Sequence, residues 1–116
     1  ALISQLQKTN PYEQLELTIQ NFLNAISKSL ETKGIDFAYN ASGGMFGFFF
    51  SKKLPENFED VCATDSKVFQ KFFIKSLSKG IYFAPSKFEA GFLSTTHVDE
   101  VMQSASQKVL DAIEEL

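Results

Sequence analysis

The chain contains no arginine and no tryptophan, and it has a single cysteine and a single histidine. Without Arg, no side chain can hold a carboxylate or phosphate through two parallel hydrogen bonds, so any anion site must use Lys or backbone N–H groups. The eleven basic residues are all Lys, form no basic stretch and give a net charge of −3. Phosphate neutralisation needs cations grouped on one face, so a nucleic-acid partner is not expected. Cys62 has no internal disulfide partner, and one Cys with His97 cannot furnish a zinc site, so no metal is expected. The cysteine usage fits a reducing, cytoplasmic setting. No run approaches the ~18 apolar residues of a membrane span, and the start lacks a signal-peptide pattern, so no membrane partner is expected either. The sequence opens at Ala1 in what reads as the body of a helix, as it would downstream of a further domain.

What is present suffices for one core. Hydrophobic residues make up 44% and charged residues 22%, as in an ordinary globular domain, so residues 1–116 read as a single domain. Of thirteen Phe, most cluster at 46–50, 69–73 and 83–92, which implies one dense aromatic core or a large buried contact face.

The leading segment, 1–33, reads as helical. Residues 1–8 look like the tail of one helix, and Asn10-Pro11-Tyr12-Glu13 carries the cap, first-position proline and third-position glutamate of another. Leu15, Ile19, Phe22, Leu23, Ile26 and Leu30 make its apolar stripe, and Gly34 supplies a left-handed stop. Residues 34–116 read as a sheet and helix layer. Ile35 to Tyr39 alternates like a strand, residues 40–44 turn the chain, and Met45 to Phe50 reads as a strand covered on both faces, with Gly47 marking a bulge or close approach. Residues 51–60 form a loop. Asp65 caps a helix through Lys79 with Val68, Phe69, Phe72, Phe73 and Leu77 inward, and Gly80 ends it. Ile81 to Phe83 reads as a short strand, Pro85 breaks it, and Phe92 to Thr95 resumes extended structure. Thr96, with Asp99 three residues on, opens a last helix whose stripe is Val98, Val101, Met102, Ala105, Val109, Ala112, Ile113 and Leu116. The fold class is therefore an α/β or α+β layer: a short, mostly antiparallel sheet with helices packed on one face.

Few residues carry recognisable chemistry. Ser42-Gly43-Gly44-Met45 enters a strand rather than opening a helix, so it reads as a hairpin turn and not as a phosphate loop. His97 has no evident nucleophile beside it and reads as a helix-entry residue, and Cys62 as an inert half-buried thiol. The segment from Ala84 to Phe92 differs, because Lys87 and Glu89 are embedded there among aromatic and small residues. A partly desolvated Glu89, with Phe88 and Phe92 limiting water around it, could face a reacting amine; a solvated loop glutamate is the plainer reading. Nothing beside Lys87 identifies a cofactor pocket.

Three stretches together carry a resemblance. They are Ser42-Gly43-Gly44-Met45-Phe46-Gly47-Phe48-Phe49-Phe50, then Asn57-Phe58-Glu59-Asp60 followed by Asp65, then Gly80-Ile81-Tyr82-Phe83-Ala84-Pro85-Ser86-Lys87-Phe88-Glu89-Ala90-Gly91-Phe92 with Ser94 and His97. With Tyr12 to Leu15 ahead of them, they make the chain resemble the C-terminal domain of the glutamate-1-semialdehyde aminomutases, within the class III aminotransferases. The resemblance implies the small domain of a fold-type I enzyme that uses pyridoxal 5'-phosphate, works as a homodimer and makes 5-aminolevulinate for tetrapyrroles. It implies that the imine-forming lysine lies in a large cofactor domain outside this sequence, so this chain contributes no catalytic residue and holds no cofactor tightly alone. It places Glu89, Ser86 and Phe88 near substrate and cofactor. An aminomutase substrate has no α-carboxylate, and the lack of Arg agrees with that branch. A class III aminotransferase with another amino donor, or a binding module without chemistry, are the alternatives.

Overall fold

The computed structural model describes residues 1–97 and 99–116. Its elements in chain order are helices α1 (Leu2–Thr9) and α2 (Tyr12–Thr32), strands β1 (Ala38–Ser42) and β2 (Met45–Phe49), helices α3 (Phe58–Cys62) and α4 (Ser66–Ser78), strand β3 (Gly91–Phe92) and helix α5 (Asp99–Glu114). The three strands form one antiparallel sheet in the order β1-β2-β3.

The α2 stripe buries Ile19, Phe22, Leu23, Ile26 and Leu30 as expected, because positions three and four apart share one face. That face packs against α5, which buries Met102, Val109, Ala112 and Ile113, and against β1. Val101, placed in the α5 stripe by its spacing, is instead exposed, and Val98 lies outside the described residues. Asn10 does not cap α2. It takes φ 39° and closes α1, its N–H bonding to the Leu6 carbonyl, so it cannot also adopt the extended backbone of an N-cap.

The hairpin is longer on its first strand than its turn-forming residues suggest. Only Gly43 and Gly44 turn the chain, and the ladder runs from Ser42 opposite Met45 to Ala38 opposite Phe49, so Asn40 to Ser42 belong to β1 and residues 35–37 precede it. A two-residue loop is enough for adjacent antiparallel strands. Gly47 stands opposite Asn40 in unbroken register, and an added Cβ there would meet only ordinary contacts, so it marks neither a bulge nor a close approach. Nor is β2 covered on both faces within this chain: Phe46 and, just beyond the strand, Phe50 are buried, whereas Met45 on the opposite face is 45% exposed.

Asp65 caps α4 as its position implies, its carboxylate accepting from the N–H groups of Lys67 and Val68 at 3.0 Å. The buried positions are Phe69, Phe72 and Ser76, one residue before the expected Leu77, which is exposed. The helix closes through Gly80, with Gly80 N–H on Leu77 O and Ile81 N–H on Ser76 O. That closure consumes the Ile81 donor. Residues 81–83 consequently form no ladder, contrary to the strand expected there, and the segment contributes Phe83 to the core as irregular chain.

Phe48 is the hub of the interior. Its ring centroid lies within 5.4–6.5 Å of those of Phe37, Phe46, Phe50, Phe69, Phe72 and Phe83. Aromatic pairs at such distances add about 0.5–1.5 kcal/mol each beyond their buried area. Of the two meanings open to the Phe clusters, a dense aromatic core is realised, with the long helices on one side of the sheet.

Candidate functional site

The other side of the hairpin is open. A groove of about 540 Å³ runs across it, floored by Met45, Gly47 and Phe49 and walled by Phe58, Phe88 and Glu89. One wall is α3, which replaces part of the loop expected over 51–60. Asn57 caps it by accepting from Asp60 N–H at 2.9 Å, a short-range signal that the sequence contains. The other wall is the turn over residues 85–89.

That turn is held at its near end by Ser86. Its hydroxyl accepts from Phe88 N–H, and its carbonyl accepts from Glu89 N–H, both at 3.1 Å. Phe88 stacks on Phe58 with ring centroids 5.2 Å apart, which bridges the two walls. Ser86, Phe88 and Glu89 are thus brought together on one turn at the lip of the groove. Glu89 is exposed, and so are Phe88 and Phe92. The desolvation expected around the carboxylate is therefore not supplied by this chain, because the turn projects from the core and its aromatic neighbours turn toward solvent with it.

Lys87 also lines the groove, but its ammonium is committed to the junction between α3 and α4. Its ammonium donates to the carbonyls of Cys62 and Thr64 at 3.1 Å and to the Ser66 hydroxyl at 2.7 Å. All three protons are used, so this lysine does not stand ready as a nucleophile. Sequence reasoning missed this role because the partners lie 21 to 25 residues away, beyond any local signal. Gly91, next to the turn, has a steric role: an added Cβ would lie 2.3 Å from Phe46 Cζ, so the ring occupies the space a side chain would need.

Cys62 is exposed, not half-buried. His97 does have a hydroxyl beside it, since Ser94 Oγ lies 3.3 Å from Nδ1. The ring nitrogen accepts from Ser94 N–H at 3.0 Å and Ser94 Oγ sits 2.6 Å from Thr96 Oγ1, so these side chains are tied into a local turn, although His97 also borders a cavity with Tyr82 and Phe92. Among the described residues, no three His, Cys, Asp or Glu are grouped as metal ligands, and no helix is long and apolar enough to cross a membrane.

No family model matches the chain. Along nearly its whole length, however, it is similar to the C-terminal part of curated glutamate-1-semialdehyde 2,1-aminomutases. It is 40% identical over 115 residues to that of Legionella pneumophila strain Paris, covering 98% of this chain and 26% of the relative. The Aquifex aeolicus relative is 35% identical over 114 residues, covering 98% of this chain and 27% of its own length. In solved structures the same fold occurs in a transaminase with pyridoxal phosphate bound, with a TM-score of 0.70 at 16% identity, covering 96% of this chain and 24% of that one. The chain spans about a quarter of the length of the relatives it matches.

Proposed function

We propose that residues 1–116 are the single C-terminal domain of a pyridoxal-phosphate enzyme that converts glutamate 1-semialdehyde to 5-aminolevulinate in tetrapyrrole synthesis. The observation that carries this reading is 40% identity to a curated aminomutase over 98% of the chain. The reaction exchanges an amino group and a carbonyl oxygen between neighbouring carbons, so it needs no second substrate.

The ammonium of Lys87 is fully engaged and there is no Arg, which supports a reading in which the cofactor is held elsewhere. The covalent lysine and the phosphate contacts would then belong, as the resemblance implies, to the large domain of the longer protein, which would also be the partner of this one. This chain offers the lip of a site. Glu89 presents a carboxylate that can face a substrate ammonium group, Ser86 shapes the turn beneath it, and Phe88 makes its apolar wall. Once a second domain covers the groove and removes water, the same carboxylate acts in a lower dielectric, where its attraction for a cation strengthens. The longer protein works as a cytoplasmic homodimer, as the resemblance implies.

Reductive trapping of the cofactor with borohydride in the longer protein, followed by peptide mapping, tests this division of labour. The modified lysine is expected outside residues 1–116. Modification of any of the eleven lysines present here would overturn it.

A further inference from the structure

We propose that Lys87 is a positioning residue: its ammonium pins the Ser86–Glu89 turn to the junction between α3 and α4 and so sets where the Glu89 carboxylate stands. The proposal deepens the reading of Glu89 as substrate-proximal and rests on it for its consequence in catalysis.

Three observations carry it. First, the acceptors are groups that lack other partners for structural reasons. Cys62 is the last residue of α3, where carbonyls have no intrahelical donor, and Thr64 lies in the two-residue step before the Asp65 cap of α4. A cation fits there because one ammonium can serve several carbonyls at once, and bonds from a charged donor are about twice as strong as neutral ones.

Second, the junction is itself fixed. Asp65 N–H donates to Phe50 O at 3.1 Å, its carboxylate caps α4, and the buried Thr64 donates its hydroxyl to Val61 O at 2.7 Å. Phe50 is part of the aromatic core, packed against Phe72 at 5.4 Å. The turn is thus connected through Lys87 and the junction to the aromatic core and not to another loop.

Third, without this clamp the turn has little to hold it. Glu89, Phe88 and Ala90 are all exposed, and the remaining ties are the two local bonds made by Ser86 and the Phe58–Phe88 stack. Lys87 and Phe88 are also linked, the ammonium lying 5.7 Å from the ring centroid. Lys87 and Glu89 stand two residues apart on one turn that Ser86 closes, so holding the lysine at the junction restricts where the carboxylate can stand.

The test uses the full-length protein with Lys87→Met, Glu89→Gln and the double variant. Hydrogen exchange of peptides covering residues 84–92 reads the clamp alone. Lys87→Met is expected to raise exchange there about tenfold, leaving α2 peptides unchanged, since loss of charge-assisted bonds shifts a local opening equilibrium by that order. Unaltered exchange over 84–92 overturns the proposal whatever the enzyme does. Kinetics then read the consequence. Lys87→Met is expected to lower kcat/KM about tenfold, and to lower it no further when Glu89 is already Gln, because the lysine acts through the carboxylate. Fully additive losses would overturn the positioning role. If the parent protein makes no 5-aminolevulinate, the aminomutase reading fails, and the exchange result still decides the clamp.

Discussion

At the scale of single residues, side chains that would face a ligand differ from those that hold them in place. Glu89 is proposed to be of the first kind. Replacing it with Gln keeps the shape and removes the charge, and in the full-length enzyme this is expected to lower kcat/KM roughly ten- to a hundredfold with an unchanged melting temperature. Steady-state kinetics with a melting curve check it, and unchanged turnover with unchanged substrate affinity would remove Glu89 from the site. Gly91 belongs to the second kind. The Phe46 ring lies where its Cβ would stand, so Gly91→Ala must either push a buried ring from the core or break the β2–β3 pairing. Overpacking of this sort is expected to cost roughly 1–3 kcal/mol in a urea unfolding curve. A loss within error of zero would mean that Phe46 has room to move. The glycine was legible in sequence as part of a motif, whereas its reason was not, since the two residues meet only across strands far apart in the chain.

Elements were legible where their cause is local. The α2 stripe, the Asp65 cap and the glycine stops of α2 and α4 are short-range signals, and each was found where the sequence placed it. Expectation failed where two local preferences competed for one residue or where a partner was distant. Asn10 could close one helix or open the next, and Ile81 could donate to a ladder or to the end of α4; in both cases the preceding helix took the group. The loop at residues 85–89 was legible as a site by its composition, but its anchoring to the α3–α4 junction was invisible, because those contacts depend on the tertiary fold. The cap makes a clean test of the local part. Asp65→Ala removes two hydrogen bonds at the start of α4 and is expected to cost about 1 kcal/mol, while Asp65→Asn, still a good cap, loses a fraction of that. Equal losses in both variants would show that the carboxylate charge, and not the cap geometry, holds this end of the helix.

On the scale of the molecule, the interior is well made and the exterior is unfinished. Phe48 and its neighbours fill the core, yet α1 buries no residue, Leu2 and Ile3 are 75% and 71% exposed, and Tyr82 and Phe92 are 69% and 71% exposed. Large apolar patches seldom stay free on soluble monomers. The 116-residue chain is therefore expected to self-associate in light scattering and to bind a hydrophobic dye, and the longer protein to do neither. A strictly monomeric, dye-silent chain would mean that these side chains need no cover.

The proposed aminomutase differs from an aminotransferase with an outside donor in needing no second substrate. Supplying the full-length protein and pyridoxal phosphate with glutamate 1-semialdehyde alone, and following product, separates the two. An aminomutase yields 5-aminolevulinate in amount equal to the substrate consumed, at a rate unaffected by added keto acids or amines; turnover that begins only when an external amino donor or acceptor is added would rule the aminomutase out.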